Sequence, residues 1–392
     1  MTRIKQIAAD LRVKESLACF INRRQDLEEL IVAMQQVPSP TFAEEHKAGL
    51  IEAKFTALGL KDVVQDSMHN VFARLPGNSP SSFSPVILSA HSDTVFPLGT
   101  DLSVRREDQQ LIGPGIGDNA NGVAGLLFLA EIMQAYGIVP MADIWFVCNV
   151  GEEGLGDLRG MRAVVQRFGQ QAVYIIVEGG SYGQIMHEAI GVSRFRVEIR
   201  TDGGHSWGSF GRPSAVHEIG HLIGELDNLW VPAKPRTTFN VGLVEGGTSV
   251  NSIAASAKLL LDLRSEDTSE LDRLVRQFRN IVAKRQEQAK KAGRRILYQI
   301  TQVGERPAGQ LSRNDQLVQI SKEALQFVGC SPITFIAGST DANVPLSMGM
   351  RSVCVGLTYS GNSHREDEYI EPEYLPFGMQ QLMLLSLAAA SF

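Results

Sequence analysis

The sequence predicts an α/β protein built on a mainly parallel sheet. Four short apolar runs carry that expectation: Pro85 to Ala90, Ala142 to Val150, Ala172 to Val177 and Ser352 to Leu357. Each is continuous and bounded by turn residues, as strands buried on both faces should be. Each also runs into polar residues of one chemical kind. These are His91-Ser92-Asp93, then Glu152-Glu153 between Gly151 and Gly154, then Glu178, and, after a short polar loop, His364. Ligands of open α/β sheets bind outside the carboxyl ends of the strands, so the four ends are expected to share one rim.

In chain order, Arg24 to Leu60 reads as a helix, an interruption at Pro38-Ser39-Pro40, and a second helix ending at Gly59. From Val86 to Gly179 strands alternate with helical stretches, the pattern of an α/β layer. One such helix, Gly122 to Tyr136, opens just after Asp118. At Gly191 the period changes. Val192 to Arg200 alternates apolar and polar residues, which suits a strand with one solvated face, and Ser256 to Arg264 is a second strand candidate. Helices are expected over Ser214 to Leu229 and Glu270 to Ala292. After Arg306 the chain returns to a helix, Asn314 to Val328, and the last apolar strand. The expected partition is a discontinuous α/β domain, residues 1–190 and 307–392, interrupted by an α+β domain at 191–306.

A chain of 392 residues with 44% hydrophobic and 20% charged residues is an ordinary globular composition rather than a disordered or fibrous one. Its net charge of -6 argues against nucleic acid or an anionic membrane surface as the main partner. Cys19, Cys148, Cys330 and Cys354 are scattered without a CxxC pair, so buried thiols are expected rather than a disulfide framework. Met1 to Phe20 lacks the apolar stretch of a signal peptide, and no run approaches the roughly 18 apolar residues of a membrane span. A cytoplasmic protein is expected.

The rim residues His91, Asp93, Asp118, Glu152, Glu153, Glu178 and His364 offer two imidazoles and five carboxylates. Without thiolate, such a set suits zinc, manganese or cobalt. One ion needs only about three protein ligands. Seven candidates suit two ions that share a bridging carboxylate. Three ligating carboxylates against two dications would leave one positive charge, which a bridging hydroxide neutralises. Asp93 stands two residues after His91, placed to accept its other ring N–H. Adjacent Glu152 and Glu153 can point differently, one to metal and one to its bound water.

These residues and their surroundings resemble the co-catalytic dizinc exopeptidase and deacylase family of carboxypeptidase G, aminoacylase, succinyl-diaminopimelate desuccinylase and peptidase T. The resemblance spans nearly the whole chain. It rests on Val37-Pro38-Ser39-Pro40-Thr41, Ser89 to Val95, Gly117-Asp118-Asn119, Gly151-Glu152-Glu153-Gly154, Val177-Glu178, Gly203-Gly204-His205-Ser206 and Gly338-Ser339-Thr340-Asp341-Ala342-Asn343. It implies a zinc-exopeptidase-like catalytic domain with an inserted lid that also carries a homodimer interface. It implies that His91 and Glu178 hold one zinc, Glu153 and His364 the other, and that Asp118 bridges. Glu152 would be the general base, Asp93 would orient His91, and His205 would reach a neighbouring subunit's oxyanion. Asn251, Arg264 and Arg306 resemble substrate-binding positions. The implied reaction is hydrolysis of a short peptide as an exopeptidase, with N-acyl amino acids as the alternative substrate. Glu178 resembles the carboxypeptidase and deacylase branch, whereas the Gly338 to Asn343 segment resembles tripeptidase-like members.

His217-Glu218-Ile219-Gly220-His221 is a second, literal HExxH zinc motif. It is set aside because Val216, Ile219, Leu222, Ile223 and Leu226 mark a broad apolar face, which reads as a helix packed on a sheet with polar residues outside. His46, His69 and His187 have no ligand-like context and are expected in surface or loop positions.

Overall fold

The four apolar runs become the strands Ile144–Asn149, Val86–His91, Val173–Glu178 and Ser352–Gly356, neighbours in that order and all parallel. This is seen in a computed structural model that describes residues 2–391. Nearly every residue of the four strands is buried, which is why their sequences carry no alternation. Helix Asn121–Ala135 is buried around most of its circumference, and the C-terminal helix Leu375–Ala389 likewise. Their leucines, alanines and methionines pack with Val86, Leu88, Ile175 and Val353 of the strands in one core.

The full sheet has nine strands, its parallel centre extended on both sides by antiparallel pairings. Lys61–Gln65 and Val71–Leu75 extend one side antiparallel to Ile144–Asn149. Gln184–Ala189 pairs antiparallel with Ser352–Gly356 on the other side and receives Thr334–Gly338 in parallel. The sequence reading missed Lys61–Gln65 for a physical reason. It is an edge strand whose side chains are largely solvated, so it has no apolar run to betray it. His187 corrects another expectation, since it is buried in Gln184–Ala189 and its Nδ1 lies 2.8 Å from the Leu311 carbonyl.

The chain divides into two units, Met1–Ala189 with Gly309–Phe392, and Ile190–Ala308. The second unit is a four-stranded antiparallel sheet in the order Thr237–Gly246, Ser256–Ser265, Gly191–Thr201, Ile296–Arg306. Alternation gives it one apolar face, where Phe195, Val197, Ile199, Leu259, Leu261 and Leu263 pack against Ile219, Leu222 and Leu226 of helix Ala215–Leu226 and Leu274 and Phe278 of helix Thr268–Lys291. All four cysteines are free and buried. Among the described residues, no helix is long and apolar enough to cross a membrane.

Candidate metal centre

Each parallel strand ends beside a polar side chain at the same rim. His91 is the last residue of its strand, and Glu178 the last of the next. Glu152 and Glu153 follow Ile144–Asn149 after a tight turn at Gly151, whose φ is +65°. His364 sits in a loop beyond Ser352–Gly356 with φ of 67°, a left-handed conformation sparsely populated outside glycine and enriched at functional sites. Asp118 lies in the irregular turn Ile116–Ala120 that opens helix Asn121–Ala135.

The side chains converge. His91 Nε2 lies 3.0 Å from Asp118 Oδ1 and 3.7 Å from Glu178 Oε2. His364 Nε2 lies 3.2 Å from Asp118 Oδ2 and 3.0 Å from Glu153 Oε1. The two histidines therefore address different oxygens of one carboxylate. Ligand atoms of His91, Asp118 and Glu153 fall within 4.8 Å of one another. His91 Nδ1 lies 3.1 Å from the main-chain carbonyl of Asp93 and 3.6 Å from its Oδ1. A carbonyl only accepts, so Nδ1 carries a proton, and Nε2 is the ring nitrogen directed at Asp118 and Glu178. Imidazole nitrogens and carboxylate oxygens without thiolate fit divalent zinc, manganese or cobalt.

Electrostatics favour cations here. Burial opposes charging of His91, but hydrogen bonds to Asp118, Asp93 and Glu178 outweigh it and raise its pKa well above the usual value. Hydrogen bonds to Asp118 and Glu153 lift His364 to about 10. Burial pushes Glu178 up, with His91 pulling the other way. Protons thus hold the place that dications would take, and ligation must release them.

Beyond Asp93, expected to orient His91, sequence reasoning assigned no individual role to the residues that support this rim. Asp93 is fully buried and accepts the main-chain N–H groups of Glu152 and Glu153, each at 3.0 Å, and the Thr41 hydroxyl at 2.8 Å. Lys47 is buried, and burial lowers its amine to about 8 against the pull of Asp93. Asn119 donates to the Val177 carbonyl and accepts from Gly179, which ties the Asp118 turn to the Glu178 strand end. Asn149 accepts from Ser89 and donates to Asp341 Oδ2, both at 2.7 Å. Burial pushes the Asp341 carboxyl up to about 7. Thr41 and Asp341 lie within the recognised motifs, whereas Lys47 sits in the charged stretch Glu44-Glu45-His46-Lys47.

The other site candidates belong to the second unit. His205 is exposed in the short strand Gly204–His205, paired with Ser252–Ile253. Its Nδ1 accepts from the main chain of Trp207 and Gly208 at 3.2 and 3.4 Å, so Nε2 is left as the N–H donor. Asn251 is exposed and accepts from Ser249 Oγ at 2.6 Å. Arg264 Nε donates to Asp262 at 2.6 Å, and Arg306 is buried at the end of its strand. In the HExxH segment, Glu218 is buried and bonded to Arg285 and Tyr298, each at 2.8 Å, while His217 and His221 are exposed. A structural Glu–Arg–Tyr cluster accounts for that motif.

A model of peptidase family M20/M25/M40 matches residues 87–387. YqjE of Bacillus subtilis is 24% identical, over 91% of this chain and 96% of its own. Carboxypeptidase G2 of Pseudomonas sp. is 26% identical, over 85% of this chain and 79% of its own. A tripeptidase of Staphylococcus aureus shares the fold with a TM-score of 0.78 at 21% identity, covering 94% of this chain and 99% of that one.

Proposed function

The chain belongs to peptidase family M20/M25/M40, a family of metal-dependent peptide and amide hydrolases, and we propose that it is a dinuclear exopeptidase acting on short peptides. The observation that carries this reading is Asp118, whose two oxygens face His91 and His364 separately. His91 and Glu178 would hold one ion, His364 and Glu153 the other, with Asp118 between them. Zinc is the expected metal. Bound there, the ions would supply Lewis acidity to a water and to the scissile carbonyl.

Glu152 takes the water's proton and returns it to the leaving amine, because its main chain is held by Asp93 beside the ligand Glu153. His205, with Nε2–H free to donate, stabilises the oxyanion of a neighbouring subunit. Asn251, Arg264 and Arg306 are the candidates for gripping the substrate carboxylate, a geometry guanidinium suits. Arg264 must first exchange its Asp262 partner. The Ile190–Ala308 unit would serve as lid and homodimer interface. Its exposed edge strand Thr237–Gly246, with Val244 half exposed, supports that role. Four free buried thiols fit a cytoplasmic setting.

The second reading is an N-acyl-amino-acid amidohydrolase with the same residues in the same roles. It is favoured by Glu178 at the ligand position, as in the carboxypeptidase and deacylase branch. Zinc-loaded protein incubated with free dipeptides, free tripeptides and N-acyl amino acids, read by mass spectrometry against Glu152→Gln, decides between them. Cleavage of free peptides supports the exopeptidase; cleavage of acylated compounds alone replaces it with the deacylase.

A further inference from the structure

Glu368 is fully buried and belongs to no motif the sequence offered. Its Oε1 accepts the main-chain N–H groups of Gly117 and Asp118, both at 2.7 Å, and its Oε2 accepts Gly115 at 3.2 Å. The turn Ile116–Ala120 thus wraps successive N–H groups around one carboxylate, an anion-binding concavity. The backbone of Glu368 adds to the tie. Its carbonyl accepts Gly113 at 2.8 Å, and its N–H donates to Arg365 at 3.1 Å, one residue after His364. Neighbouring Tyr369–Ile370 pairs with Gln110–Ile112, on the approach to the same turn. The loop that carries His364 and the turn that carries Asp118 are therefore fastened through this one residue.

Three backbone N–H groups could be met more cheaply by water or a neutral side chain. A carboxyl buried beside Asp118 meets like charge there and is costly to ionise unless cations lie close. Gly117 leaves no room to relax, since a Cβ there would sit 3.0 Å from Glu368 Oε1.

We propose that Glu368 is a positioning residue for the bridging carboxylate, fixing the plane of Asp118 against the His364 loop so that the two ion positions fill together. The proposal rests on the dinuclear reading above. With Glu368 in place, Asp118 Oδ1 stays turned to His91 and Oδ2 to His364. Without it the turn is free to rotate, and the second ion loses the geometry that the first has prepared.

The test is calorimetric titration of chelator-stripped protein with cobalt(II), with the visible absorption of the bound ions read in parallel. Wild type is expected to take up two ions. Glu368→Gln keeps an oxygen for Gly117 and Asp118 but loses the charge and the Gly115 bond. It should bind the second ion about 10–100-fold more weakly, with a changed cobalt spectrum. Gly117→Ala, whose Cβ would press on Glu368 Oε1 and on Ser360 Cβ, each at 3.0 Å, while keeping the carboxyl, should shift the same second step. Wild-type affinities and spectra in both variants would overturn the proposal, as would a lower melting temperature with unchanged ion binding. Uptake of fewer than two ions by wild type would instead sink the dinuclear reading itself, which keeps the two failures apart.

Discussion

Asp93 accepts the main-chain N–H of Glu152 at 3.0 Å through Oδ1, the same oxygen that stands 3.6 Å from His91 Nδ1. The residue beside a proposed histidine ligand therefore also fixes the peptide that carries the proposed base. Oδ2 is equally committed, to Glu153 N–H and the Thr41 hydroxyl. Asp93→Asn cannot satisfy both amides, because its NH₂ must face one N–H donor. It should cost about 10–100-fold in metal affinity or activity, read by metal content and kcat/KM. Thr41→Val removes one bond only and should cost much less. Equal losses in the two variants would contradict this division.

Glu152→Gln should leave metal content unchanged and lower the rate by at least about 10²-fold. The amide keeps the shape and the backbone bond to Asp93 but cannot accept a proton. Steady-state kinetics beside elemental analysis reads both quantities, and retained activity removes Glu152 from the role of base.

His205→Ala should lower kcat more than it lowers metal content, since His205 belongs to a different unit from every proposed ligand. Its two main-chain donors hold the ring with Nε2 as the donor, so the loss should fall on turnover more than on KM. An unchanged kcat takes it out of the site.

Gly151 has φ of +65°, and a Cβ there would collide with the Arg159 side chain. Arg159 cannot easily withdraw, since its guanidinium is 2.6 Å from buried Glu44 and stacked 4.6 Å from the Phe42 ring centroid. Gly151→Ala should destabilise the protein by about 1–3 kcal/mol and slow it by displacing the next residue, Glu152. Denaturant unfolding and kinetics check the pair of effects; a variant of wild-type stability would show that the turn yields.

The rim was legible because its polar residues stand at the ends of buried parallel strands, where apolar runs stop abruptly at His91, Glu152 and Glu178. The supports were not legible, because hydrogen-bonding geometry leaves no periodic trace. Glu368 lies in His-Arg-Glu-Asp-Glu, a charged stretch that reads as solvated, yet it alone of that run is fully buried. Edge strands such as Lys61–Gln65 escaped for the converse reason, being too polar to look like strands. In the second unit, alternation along Gly191–Thr201 and Ser256–Ser265 showed two strands, but the neighbours Thr237–Gly246 and Ile296–Arg306 carry exposed apolar residues that blur the pattern.

The HExxH segment supplies the last prediction, because its two readings differ in sign. As a zinc motif, Glu218 would be a base, and Glu218→Gln would abolish activity with little effect on stability. As the structure has it, Glu218 lies between Arg285 and Tyr298. Burial opposes its ionisation, but these hydrogen bonds prevail and hold the carboxyl below its ordinary 4.5. A carboxyl depressed in the folded state contributes stability that is fully present above the unfolded value and lost as pH falls through the folded one. Wild type should therefore melt above Glu218→Gln at pH 7, and the gap should close below about pH 4. Activity per folded molecule should stay at the wild-type level throughout. Thermal melts of both proteins from neutral to acid pH measure the gap. A constant gap would mean that the charge on Glu218 contributes nothing, and lost activity at full stability would restore the zinc motif.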